Sequence, residues 1–160
     1  MRRLIRQPLE LAICGLLIAL TAVVVSQVFA RYVLQAPLSW SEELARFLLM
    51  WLAMLSAAYA FKTGAHFALR ILVMQLPKAL RHAVALFVHL VVILFFAVLL
   101  YYAVVFVAGV SGHRAPALQW PMEIPYSSIV VGTAFILFEV VRGAWREMTG
   151  KTVAKSDAKV

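Results

Sequence analysis

Between Ala83 and Gly112 the chain runs for 30 residues without an Asp, Glu, Lys or Arg. As an α-helix that run is about 45 Å long, more than the roughly 30 Å hydrocarbon thickness of a bilayer. Leu11 to Ala30 is uncharged for a further 20 residues, close to one bilayer crossing. Lipid offers the backbone no hydrogen-bond partner, so runs of this kind cross as helices that satisfy their own N–H and C=O groups. Composition agrees: 64% of residues are hydrophobic and 14% charged, against about 45–50% and 25% in soluble domains. The formal charge of +8 raises the question of nucleic acid. The basic residues lie between the apolar runs rather than along a groove-lining stripe, which excludes nucleic acid and leaves membrane lipids as the surroundings.

The fold class is therefore an all-α membrane protein of four transmembrane helices. Spans are expected at about 9–33, 40–61, 83–108 and 124–142, forming a single domain over 1–150, with a polar, disordered tail at 151–160. Arg2, Arg3 and Arg6 before an apolar stretch resemble the start of a signal peptide. The run that follows exceeds the usual 7–15 residues of such a peptide, and Val28-Phe29-Ala30 is a poor cleavage site. An uncleaved first helix is expected. The second span has an uncharged stretch of only 15 residues, Phe47 to Phe61. It is extended by Ser39-Trp40-Ser41-Glu42, which reads as a capping box with Glu42 reaching back to the Ser39 amide. Phe67, Leu69, Ile71, Leu72, Met74 and Leu76 among basic residues suggest an interfacial amphipathic segment that Pro77 stops.

Twelve of the 15 Lys and Arg residues fall in the N-terminus, the 62–82 loop and the C-terminal region. Arg31, Arg46 and Arg114 remain for the other side. Positive residues are retained in the cytoplasm, so both termini are expected there, and an even number of spans fits.

Glu42, Glu43 and Arg46 form the densest charged group near a span. Acidic residues complement a helix N-terminus, and Glu42 and Arg46 share a face four residues apart, so the plain reading is a dipole-matched, snorkelling first turn. Contact with an outward partner is the functional reading. Trp40 and Trp51 also share a face, Trp40 as an interface anchor. Glu139 suggests ion coupling, yet Arg142 lies three residues on, so a paired interfacial ion is expected. His89 reads as a neutral, hydrogen-bonded intramembrane histidine. No metal-ligand spacing, paired carboxylates, nucleophile–base pair or Gly-rich phosphate loop is present, so neither an enzyme nor a cofactor is expected. The lone Cys14 excludes an intrachain disulfide. Nor do two Gly/Pro-broken apolar segments occur in matching halves, the usual pointer to a midplane substrate site. A subunit of something larger is what these features favour.

The stretch Gln27-Val28-Phe29-Ala30-Arg31-Tyr32-Val33, then Trp40-Ser41-Glu42-Glu43-Leu44-Ala45-Arg46 leading to Trp51, then His66, Leu76-Pro77 and Arg81, resembles the DctQ-type small membrane subunit of tripartite ATP-independent periplasmic (TRAP) transporters. Pro116-Ala117-Leu118 with Pro121, Pro125 and Tyr126 resembles that family's entry to its last span. His66 is followed by Phe67, Ala68, Leu69 and Arg70, where family members often carry an acidic residue.

The resemblance implies a bacterial inner-membrane subunit with two partners: a large multi-span TRAP subunit carrying solute and sodium, and a periplasmic solute-binding protein. It implies a bracing and docking role, with Arg31, Trp40, Glu42, Glu43, Arg46, Trp51 and His66 at the partner interface. The rival readings are a stand-alone exporter, weakened because Glu10 is only at the edge of the first span, and an anchor subunit of an unrelated inner-membrane complex. A haem-bearing anchor needs facing axial histidines, and only His89 is placed within a span.

Overall fold

The computed structural model describes residues 8–36, 38–63 and 78–148. They form four helices: α1 (Pro8–Tyr32), α2 (Ser39–Thr63), α3 (Lys78–Gly109) and α4 (Glu123–Met148). Each contains a stretch long and apolar enough to cross a membrane: Pro8–Tyr32, Ser39–Thr63, Leu86–Gly109 and Glu123–Trp145. The proposed amphipathic segment before Pro77 and the polar tail lie outside the described residues. α4 continues past Arg142 because basic side chains suit a helix C-terminus, and Arg142 is paired to Glu139 at 3.4 Å.

Close packing joins α1 to α2, α2 to α4 and α4 to α3. Among the described residues no other pair of helices comes as close along its backbone, although α2 and α3 also touch through the side chains of Phe61 and Phe96, so the order across the molecule is α1, α2, α4, α3. This is an open row with two inner and two outer helices, not a closed bundle. The C-termini of α1 and α3 and the N-termini of α2 and α4 meet at one end, called here the loop end.

The outer helix α1 meets α2 along one stripe. Glu10, Ile13, Leu16, Leu20, Val23 and Gln27 are half-buried and Ala30 is buried, at spacings of three and four, the period of one helix face. A polar clasp closes each end of this seam. Tyr59 Oη donates to Glu10 Oε1 at 2.5 Å, and Gln27 Nε2 donates to Glu42 Oε1 at 3.2 Å. In a medium without water such bonds favour one register.

The inner pair approaches most closely at Gly132. A Cβ there would lie 2.7 Å from Met54 Cβ and 3.2 Å from the Met54 carbonyl oxygen. Small residues at crossings let membrane helices gain van der Waals contact that lipid would otherwise supply. Towards the other end Ala58, Ile136 and Val140 are buried together, with Val92, Ile93 and Phe96 of α3 packed over them. Phe61 and Phe96 meet edge to face at 5.2 Å.

The α3–α4 connection is compact. Gly112 takes φ 87°, a conformation suited to glycine. Arg114 and Pro121 then pair as an antiparallel bridge, with Ala115 N–H donating to Trp120 C=O at 2.9 Å and Met122 N–H to His113 C=O at 3.0 Å. Between them, Gln119 N–H donates to Ala115 C=O at 2.9 Å, closing a single helical turn. Pro125 is buried in the first turn of α4, where its missing N–H has no intrahelical partner to lose.

Gly132→Ala should destabilise the protein by about 1–3 kcal/mol through overpacking against Met54. Gly15→Ala has nothing within 4 Å of the new Cβ and should be neutral or stabilise by up to about 1 kcal/mol. Unfolding in mixed detergent micelles, followed by circular dichroism, separates the two. Equal stability of both variants would contradict the close crossing.

Candidate partner interface

The charged and aromatic residues singled out in the sequence gather at the loop end but do different things there. Arg31, in the last turn of α1, is exposed, and Trp40 at the start of α2 is 43% exposed. Glu42 does not make the expected capping box. Ser39 is already helical, and the Ser41 N–H and Oγ both donate to Leu38 C=O, at 3.1 and 2.7 Å. The Glu42 carboxylate instead turns outward from its own helix to the Gln27 amide on α1.

Glu43, one residue on and about 100° further round the helix, points to the α3–α4 loop. Its Oε2 accepts from Ala117 N–H at 3.0 Å and Leu118 N–H at 2.7 Å. Those amides belong to the first turn of the 115–119 helical turn, where backbone donors have no partner within the turn. Glu43 therefore caps a turn elsewhere in the chain, as an N-cap carboxylate caps its own helix, through charge-assisted bonds. Trp51 adds a second tie: its Nε1–H donates to Ile124 C=O at 3.2 Å, beside the start of α4. Ala115 is fully buried in this arrangement.

Arg46 is exposed and, among the described residues, makes neither an ion pair nor a hydrogen bond. Its expected face-mate Glu42 is engaged with Gln27. His66 lies outside the described residues. The structure thus sets Glu43 on the α3–α4 loop and Trp51 on the first turn of α4, gives Glu42 to α1, and leaves Arg31, Trp40 and Arg46 facing outward. Two contacts were missed in the sequence: the Glu10–Tyr59 clasp and the Gln27–Glu42 clasp. Their signal was available, since Glu10 and Gln27 lie on the same stripe of a helix that is otherwise nearly all apolar.

At the same end, α3 and α4 enclose a groove of about 360 Å³ walled by Val104, Val107, Val130 and Val131, with Glu123 and Ser127 also lining it. Among the described residues no three of His, Cys, Asp and Glu stand close enough to hold a metal ion.

These features define a multi-pass membrane protein whose polar side chains fasten one outer helix and one connecting loop to a central helix. The family model for the DctQ component of tripartite ATP-independent periplasmic transporters matches residues 20–150, and the chain belongs to that family. It is 32% identical over 93 residues to the sialic acid TRAP transporter small permease protein SiaQ of Vibrio cholerae, covering 58% of this chain and 54% of that one. A putative TRAP transporter small permease protein of Haemophilus influenzae is 34% identical over 73 residues, 46% of this chain and 45% of its own length. The sialic acid TRAP transporter permease protein SiaT of Haemophilus influenzae is 34% identical over 77 residues, 48% of this chain and 12% of SiaT. The chain thus spans about half the length of the two small permeases it matches. Family and apolar helices together make it a multi-pass protein of the bacterial inner membrane.

Glu43→Ala should leave the Ala117 and Leu118 amides without their acceptor, at about 1–3 kcal/mol. Hydrogen exchange of the 113–122 loop is expected to accelerate roughly 5- to 100-fold, while the core of α2 and α4 stays protected. Unchanged exchange in the loop would show that the cap does not hold it.

Proposed function

We propose that this chain is the small subunit of an ion-gradient-driven uptake transporter, bracing a large multi-span subunit and presenting part of the surface on which a periplasmic solute-binding protein docks. The large subunit would carry solute and sodium, and no ATP is consumed. The solute would be an organic anion of the kind named in the SiaQ and SiaT relatives, a sialic acid or similar sugar acid. Both termini would be cytoplasmic, since Lys and Arg are concentrated on that side. The loop end would then face the periplasm, and residues 1–150 would act as one membrane domain.

The observation that carries this reading is the loop held by Glu43. A connection fastened through its backbone amides presents a fixed surface, and preorganisation lowers the entropic cost of docking a partner. Arg31, Trp40, Glu42 and Arg46 would flank that surface, with Glu43 and Trp51 fixing it from beneath; His66 would serve on the cytoplasmic side. SiaT supports the large partner, because the segment like this chain is only 12% of a longer permease there. In that protein the counterpart of this chain is covalently joined to the rest of the permease.

The test is uptake into proteoliposomes holding the large subunit, with and without this chain, in the presence of the binding protein. Uptake is expected only with both subunits and an inward sodium gradient, and to be indifferent to ATP. Undiminished uptake without this chain would refute the reading. Within it, Glu42→Gln combined with Glu43→Gln should lower uptake several-fold; unchanged uptake and assembly would remove these carboxylates from the interface.

A further inference from the structure

The groove between α3 and α4 changes character along its length. Ser111, Glu123 and Ser127 line the part nearest the loop, while Val104, Val130 and Val131 line the part furthest from it. On each helix the lining residues follow one another at spacings of three and four, so two facing stripes form a single channel. Gly109 ends one apolar span and Glu123 begins the other. The polar end of the groove therefore stands at the membrane boundary, and its valines lie within the hydrocarbon.

Size restricts what fills it. From Glu123 to Val131 the groove runs about 12 Å at 1.5 Å per residue, and a helix of that length and about 10 Å diameter occupies roughly 900 Å³. The groove holds about 360 Å³, which is narrow for a helix and wide enough for a hydrocarbon chain.

Charge restricts it further. Glu123 is half-buried, and among the described residues its carboxylate has neither a hydrogen bond nor an ion pair. No Lys or Arg is among the described residues that line the groove. The α4 N-terminus favours the ionised carboxylate, so the mouth of the groove is negative. Ser127 Oγ donates to Ile124 C=O at 2.7 Å, which leaves its oxygen able to accept a further hydrogen bond. An acceptor pair above an apolar channel matches a cationic head on an apolar tail. An anionic headgroup would meet Glu123 with the same sign of charge.

We propose that the groove is a lipid site for one acyl chain of a phospholipid with a primary ammonium headgroup, of the phosphatidylethanolamine kind, and that the ammonium pairs with Glu123. The valines take the chain, and Ser127 accepts from the headgroup. The site is built by this chain alone and stands in whichever leaflet the loop end occupies, so it is independent of the proposed function.

The test uses the full chain in vesicles of equal parts phosphatidylethanolamine and phosphatidylglycerol, extracted in mild detergent, with retained lipid identified by native mass spectrometry. Phosphatidylethanolamine should be retained over phosphatidylglycerol by about two- to fivefold, the range of a partly exposed ion pair. Glu123→Gln should bring the two lipids to equal retention. Val104 is 50% exposed, so Val104→Trp should leave melting unchanged while filling the apolar end and lowering retention of both lipids. Ile18→Trp, on the exposed face of α1, should lower neither. A photocrosslinking residue at Val104 in native membranes should give a lipid adduct. Equal retention by the unaltered chain, a preference that survives Glu123→Gln, or a preference for phosphatidylglycerol that Arg114→Gln removes would each overturn the proposal. An adduct from Val104 only to a second copy of this chain or to another protein would do the same.

Discussion

Hydrocarbon supplies no hydrogen-bond partner, so a polar side chain carried into the membrane is most stable when it bonds within the protein, and in this chain that requirement converges on α2. Tyr59 and Glu42 of α2 hold the two ends of α1, Trp51 holds the start of α4, and Glu43 holds the loop from α3. Between these ties the contact is apolar and close, as at Met54 and Gly132. Apolar matching alone would leave α1 free to slide against α2, because lipid tails satisfy its leucines and valines equally well. The two clasps at its ends set the register that apolar matching leaves open.

Much of this architecture was legible because hydropathy measures the property that decides it. A run of apolar residues as long as the bilayer is thick has few alternatives to a helix, and four such helices are what the structure contains. The Glu139–Arg142 pair was legible for a similar reason: its partners are three residues apart, and helix geometry brings them together. The choices made by Glu42 and Glu43 were not. A carboxylate in the first turn of a helix can cap its own backbone, pair with a base four residues on, or reach a neighbouring element, at energies within about a kilocalorie of one another. Which one wins depends on what the neighbour offers. Gln27 and the Ala117–Leu118 amides decide it here, from 15 and 74 or 75 residues away.

The open row bears on why such a chain works as a subunit. In a closed bundle of four helices each helix has two neighbours and buries an inward stripe. Here α1 packs closely on α2 and α3 on α4, with α3 also touching α2 at Phe61 and Phe96, and the remaining surface of both outer helices is exposed along most of its length. A layer of this shape has two broad faces available to lipid or to a larger protein. Among the described residues its polar groups tie the helices of the layer to one another, which is consistent with a family whose members are components of tripartite transporters.

The division of charge at the loop end carries the argument further. Among the described residues Arg31, Arg46 and Arg114 are the Lys and Arg residues at that end, and in the proposed orientation each works against the rule that keeps positive charge in the cytoplasm. If they served only to balance nearby acids, Glu42 and Glu43 would be their natural partners. Those carboxylates face Gln27 and the loop instead, and among the described residues none of the three arginines has an ion pair. Acidic residues of the resemblance motif thus build the chain's own surface, while its basic residues are left over on that surface. A surface cation exposed to water is ordinary and asks for no partner, which suffices for Arg31 and Arg114. Arg46 starts further in, about two turns along α2, and an arginine at that position reaches the interface along its own apolar stem.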